Sequence, residues 1–314
     1  MIDALQKSFF NLLSQSTLLK RMASRYGMAS PNSFARRFIA GETAQEAIEV
    51  ARTLQSNGFD LTLDYLGESV RTHQEAAAAA REYVHLIDVL MASGIERNIS
   101  LKLTQLGAGV DRATCIDNLR RILEAADRHG FFVRIDMESS AYTDLTLDVF
   151  ETLWNRGHRN LGVVIQAALK RSEADVRRVV AIGGRMRLVK GAYKEPPDVA
   201  YARKADVDAA FVRLMQLMLD SGEYPAIATH DPKMIDATLA HAEARGLPPS
   251  HYEFQMLYGV RRDLQRALAA DGYRVRVYVP FGQEWFPYFM RRLGERPANV
   301  AFVVRAMLGD RGAS

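Results

Sequence analysis

Apolar side chains near the start of the chain fall at Leu5, Phe9, Leu12 and Leu13, a spacing of i, i+4, i+7 and i+8 with Gln6 and Lys7 beside them, which predicts an amphipathic helix. Pro31-Asn32-Ser33 interrupts that period, and Thr43 with Glu46 three residues on carries the signature of a capping box opening a second helix. After residue 55 the pattern changes. Short β-branched and aromatic runs at 59–65, 98–103, 131–137, 161–166, 186–190, 226–229, 252–256 and 275–279 predict eight strands. Most are separated by room for one helix, as at 76–91, 114–129 and 207–219, the first of which holds five consecutive alanines. Eight β-α units in about 260 residues fit an α/β fold of the (β/α)8 TIM-barrel type. An open doubly wound sheet is the alternative. The expected division is a helical segment, 1–55, packed on a barrel that spans 56–314.

Composition narrows the picture. With 314 residues and 48% hydrophobic content the chain buries a sizeable core, which excludes a disordered or fibrous protein. Lys and Arg number 41 against 37 Asp and Glu, a net charge of 41 − 37 = +4, and no block of five or six bases occurs, so nucleic acid is not an expected partner. One cysteine, Cys115, allows neither an intrachain disulfide nor a multi-thiolate metal site, which suits a reducing cytosol. No apolar run approaches the ~18 residues of a membrane span, and no signal core opens the chain. The seven histidines form no HxH, HExxH or HxxxH pattern, so no metal is expected. Gly107 and Gly109 are only a fragment of a nucleotide-binding fingerprint, and neither a P-loop nor a GxSxG elbow is present.

In a barrel of this type, chemistry gathers at the C-terminal ends of the strands. Read in order, those ends supply Glu68, Lys102, Asp136 and Gln166, then Arg187, Lys190, Gly191, Ala192 and Tyr193, then Thr229 and His230, Gln255 and Leu257, and finally Tyr278. A lone strand-end lysine is ordinarily just solvated; recurrence at all eight ends is what points to a site. On the last helix Tyr288, Arg291, Arg292 and Glu295 share one face at i, i+3, i+4 and i+7, beside an apolar stripe of Phe286, Phe289, Met290 and Leu293. Paired arginines can grip a carboxylate in planar, bidentate geometry, and Glu295 could hold one of them in place. A solvated charged face is the simpler reading of that helix by itself. The residues alone reach a positive, aromatic-walled mouth suited to a small anion and an anionic cofactor.

The segments SLKLTQLG from Ser100, RIDMES from Arg134, RLVKGAY from Arg187, ATHD from Ala228, EFQMLYG from Glu253 and YFMRRLGE from Tyr288 occur in the order seen in one family. With them the chain resembles monofunctional bacterial proline dehydrogenases and the corresponding domain of bifunctional proline utilisation A. The resemblance implies a distorted (β/α)8 barrel, bound FAD, and oxidation of L-proline to Δ1-pyrroline-5-carboxylate by hydride transfer from C5 to flavin N5, with electrons passed to a membrane quinone. It assigns the proline carboxylate to Lys102, Arg291 and Arg292, and the ring to Tyr278, Tyr288, Leu257, Tyr193 and Ala192. Asp136 and Arg187 carry the catalytic assignment, Asp136 by orienting its neighbours from below. Glu68 resembles an acid that gates the site by pairing with Arg291, with Asp64 as the substitute if the strand ends are shifted by a turn. Met137, Gln166, Arg187, Lys190, Gly191, Ala192, Thr229 and His230 match flavin-contacting positions.

Lys194 departs from the tryptophan of the bifunctional proteins, which favours the monofunctional type and a separate pyrroline-5-carboxylate dehydrogenase to take the product. A quinone acceptor implies a cytoplasmic protein that touches the inner face of the membrane. The stripe of Leu5, Phe9, Leu12 and Leu13 with Lys20 and Arg21 is the candidate surface, although packing on the barrel is the simpler role for it. Two rival readings stay open on sequence: another flavin barrel, such as a methylenetetrahydrofolate reductase, and a non-catalytic anion-binding barrel.

Overall fold

Alternation within the strands decides how the sheet closes. The computed structural model describes Met28 and residues 33–294. In it, β1 (Asp60–Tyr65), β2 (Asn98–Leu101), β3 (Phe132–Ile135), β4 (Leu161–Gln166), β5 (Arg185–Val189), β6 (Glu223–Ala228), β7 (Glu253–Leu257) and β8 (Val275–Phe281) pair in parallel and in chain order, and β8 returns to β1 to close the barrel. All eight expected strands form, with ends shifted by a few residues; β2 and β3 stop two residues early. One face of each strand is apolar: Leu61 and Leu63, Ile99 and Leu101, Val133 and Ile135, Phe254 and Met256 are fully or almost fully buried in the layer beneath the helices.

The helices follow from equally local signals. Helix α1 (Ala44–Ser56) opens with the expected capping box, Glu46 N–H donating to Thr43 Oγ1 and Glu46 accepting from the Thr43 N–H. Helices α2 (His73–Ser93), α3 (Arg112–Arg128), α4 (Thr143–Asn155), α5 (Ser172–Ala181), α6 (Lys204–Ser221), α7 (Pro232–Ala244) and α8 (Arg262–Ala270) each follow a strand in turn. The ninth, α9 (Trp285–Gly294), breaks the pattern. Outside β1 and β8, the place where an eighth outer helix would pack, lies α1. The apolar side of α9, Trp285, Phe286, Phe289, Met290 and Leu293, packs instead with Ala35, Phe38, Ile39, Leu66 and Tyr278. Trp285 Nε1 donates to Glu42 at 2.8 Å, while Ala40 N–H and Gly282 N–H bond across to Pro280 and Gly41 carbonyls. The segment before α1 thereby holds α9 over the C-terminal mouth, and this is the distortion of the barrel. The predicted helix at residues 5–13 lies outside the described residues.

Inside the barrel the opposite strand faces are polar where bulky aliphatics are usual. Gly162 is required here: a Cβ would stand 2.6 Å from Arg134 Nη1 and 2.7 Å from the Arg185 carbonyl. At the floor, Glu253 accepts from Arg276 Nε at 2.8 Å and Nη2 at 3.0 Å, a bidentate pair in which both residues are almost wholly buried. Burial opposes the Glu253 charge, but the charge and hydrogen bonds of Arg276 hold its carboxyl below the ordinary 4.5. Its stabilisation is therefore complete above that value and is lost as pH falls through the folded-state pKa. Glu253→Gln is expected to cost about 3 kcal/mol at neutral pH. Urea unfolding should show the gap to wild type narrowing below pH 4.5; a gap independent of pH would refute the assignment.

Candidate active site

Lys102, Arg187 and Arg291 reach the mouth from three different elements, and each meets a carboxylate. Lys102, immediately after β2, places Nζ 3.1 Å and 3.3 Å from the two oxygens of Asp64 and 3.8 Å from Asp136. Burial would push the Lys102 ammonium down, yet Asp64 and then Asp136 outweigh it and its pKa lies above the ordinary value. Burial raises the Asp64 carboxyl, against the pull of Lys102 and with the help of the neighbouring Asp136 charge.

Asp136 is the hub. Its Oδ1 accepts from Arg187 Nη1 at 2.7 Å and its Oδ2 from the Tyr278 hydroxyl at 2.7 Å. Arg187 also donates to Ser100 Oγ at 3.1 Å and to Gln255 Oε1, and it lies over the Tyr278 ring, 5.3 Å from the centroid. Four strands thus fix one guanidinium. Burial, followed by the Asp136 charge, drives the Tyr278 hydroxyl well above its ordinary pKa, so it is a permanent donor.

From above, α9 lowers Arg291 onto Glu68: Nη1 stands 3.2 Å from both carboxylate oxygens. Burial works against the Arg291 charge, and Glu68 more than offsets it. Of the three carboxylates paired with mouth cations, Asp64 is fully buried and the Asp136 side chain 15% exposed, whereas Glu68 is 31% exposed. Arg292 lies 5.1 Å from the centroid of Tyr288, a buried residue of the same helix. Tyr193 is half-buried near Arg291, Glu138, Glu68 and Lys102, and its hydroxyl is pushed up to about 12, chiefly by burial. Ala192 is exposed on the same loop and Leu257 half-buried at the end of β7. Glu295 lies outside the described residues.

The remaining expected residues line the rim from β3 to β6. Met137, Gln166 and Thr229 are buried; Gln166 Nε2 donates 2.7 Å to the Glu138 carbonyl, which fixes its amide. At Gly191 φ is +112°, and a Cβ would come within 3.1 Å of both Gln166 Oε1 and Ala168 Cβ, so only glycine keeps the backbone this close. His230 Nε2 accepts the Leu257 N–H at 2.8 Å, which leaves the imidazole proton on Nδ1. Lys190 is turned to the outer rim, 2.5 Å from Asp208 and 2.7 Å from Asp231, away from the Arg187 cluster to which it was not joined by any described bond.

Residues missed as partners are Ser100, beneath Arg187, and Glu138, whose carboxylate takes Thr104 N–H at 3.0 Å and Thr104 Oγ1 at 2.6 Å. Asp64, foreseen only as a substitute for Glu68, belongs to Lys102. Period-two polar positions in Glu253-Phe254-Gln255 and Arg276-Val277-Tyr278 were the available signal for an inward polar face.

Together these features define a (β/α)8-barrel enzyme with a cationic, aromatic-walled site at its C-terminal mouth. The family model for proline dehydrogenase matches residues 47–305, and the chain belongs to that family. It is 41% identical over 299 residues to proline dehydrogenase 1 of Bacillus subtilis, covering 95% of this chain and 98% of that one. Identity to the proline dehydrogenase of Deinococcus radiodurans is 42% over 280 residues, 88% of this chain and 90% of the other. Among solved structures, proline utilization A of Bdellovibrio bacteriovorus, inactivated by N-propargylglycine, superposes with a TM-score of 0.77 at 30% identity, over 82% of this chain and 32% of that longer one.

Proposed function

We propose that the chain is an FAD-dependent proline dehydrogenase that oxidises L-proline to Δ1-pyrroline-5-carboxylate, the first step of proline catabolism to glutamate. The observation that carries this reading is the convergence of Lys102 and Arg291 above the Asp136–Arg187–Tyr278 hub. Lys102, Arg291 and Arg292 bind the substrate carboxylate, and Glu68, the most exposed of the paired acids, is the one it displaces, so the ion pair acts as a gate. Tyr278, Tyr288, Leu257, Tyr193 and Ala192 wall the ring. Cations near the carboxylate favour the neutral substrate amine, whose lone pair assists loss of hydride, so no dedicated base is required.

The rim suits a flavin: the glycine cradle at 191, the fixed amide of Gln166 and the Nδ1 donor of His230 offer backbone approach and directed polar groups. Met137, Arg187, Lys190, Ala192 and Thr229 complete that set, with Lys190 at its outer edge. FAD, when bound, supplies the hydride acceptor at N5 and passes electrons to a quinone. The chain's own residues hold the reacting carbon and exclude water. Contact with a quinone places the protein at the inner face of the cytoplasmic membrane, although no helix among the described residues is long and apolar enough to cross one. Its product passes to a separate pyrroline-5-carboxylate dehydrogenase.

Purified protein should be yellow, and anaerobic L-proline should bleach it while NADH should not. Bleaching by NADH alone would favour a reductase instead, and a protein colourless after FAD reconstitution would leave only anion binding.

A further inference from the structure

A buried line of hydrogen bonds runs up the barrel axis from floor to mouth, and the proposed chemistry leaves its middle unused. Arg276 is anchored below by Glu96 and by the Leu61 carbonyl at 2.6 Å. It grips both oxygens of Glu253. Glu253 in turn accepts from Gln255 Nε2, and Gln255 Oε1 accepts from Arg187 Nε. A guanidinium only donates and a carboxylate only accepts, so the Gln255 amide has a single possible orientation. Gln255 is 3% exposed, and Glu253, held ionised by Arg276, cannot turn to donate.

We propose that Gln255 is a positioning residue for Arg187. Locked by the Glu253–Arg276 pair beneath it, its carbonyl oxygen fixes the Nε edge of the guanidinium and turns the Nη1 edge onto Asp136. Ser100 and Asp136 hold only the two terminal nitrogens, so without Gln255 the plane can rotate about that edge. This rests on the reading of Arg187 as the cation that faces the flavin.

The test is a double-mutant cycle of Gln255→Met and Arg187→Met in the FAD-loaded full chain, read by the reduction potential of the bound FAD together with kcat and KM for proline. Gln255→Met is expected to lower kcat about tenfold with little change in KM. It should also weaken the preference for reduced FAD about tenfold, a shift of about 30 mV to more negative potential for two electrons. In the Arg187→Met background the same substitution should add nothing. Effects that multiply in the double variant, or a potential unmoved by Gln255→Met where Arg187→Met moves it, would overturn the proposal and leave the flavin reading standing. A potential unmoved by Arg187→Met would instead overturn that reading, and this proposal with it. Gln255→Leu serves the same cycle if the methionine variant does not fold.

Discussion

Replacing Arg291 by alanine is expected to raise the KM for proline by two to three orders of magnitude, about 3–4 kcal/mol, with a smaller change in kcat. Among the described ion pairs of Lys102, Arg187 and Arg291, that of Arg291 has the most exposed acid. Lys102 is enclosed by Asp64 and Asp136, and Arg187 by Asp136, Ser100 and Gln255, whereas Arg291 faces the more exposed Glu68. Its loss removes a guanidinium from a proposed desolvated ion pair and takes the Arg291 contact from Glu68, whose charge then opposes the proposed substrate carboxylate. Steady-state kinetics over a wide proline range check this. A KM within twofold of wild type would remove Arg291 from the clamp. Glu68→Gln should act in the opposite sense on binding, because an amide competes less well for the arginine.

Asp136→Ala should lower kcat about a thousandfold, ~4 kcal/mol of barrier, with KM changed by less than about tenfold. One carboxylate here orients Arg187 and Tyr278 and adds to the field around Lys102. Without it the guanidinium and the phenol lose their common partner, and geometry rather than substrate affinity suffers. Asp136→Asn should recover part of kcat, since an amide oxygen can still accept from Tyr278 or Arg187 but not with the full charge-assisted strength. A variant with wild-type kcat and a raised KM would show instead that Asp136 acts on substrate binding.

Much of the barrel was legible because its determinants are local. The Thr43–Glu46 capping box, the β-branched runs and the helix-length gaps each report on neighbours within a few residues, and all eight strands form where those signals stand. The strand-end residues were legible as a group for the same reason: a parallel barrel brings every C-terminal end to one face whatever the side chains are. Pairings across the barrel were not. Asp64 and Lys102 are 38 positions apart and Arg187 and Gln255 are 68 apart, and nothing in either local segment says which acid meets which base. Lys190 illustrates the converse: it stands at a strand end, yet two aspartates from α6 and β6–α7 draw its long side chain to the outer rim.

The sequence by itself determined the number of strands and their places along the chain, the apolar stripe of α9 and the polar residues that could reach a common mouth, because periodicity and capping are set within a few residues. Only the tertiary structure decided that α1 takes the outer-wall place beside β1 and β8, that α9 therefore covers the mouth, and that Arg187 and Tyr278 are the two donors Asp136 joins. Those outcomes depend on closing the sheet. Closure fixes which inward positions share a layer, and in that enclosed space each buried charge must take whichever partner lies within reach.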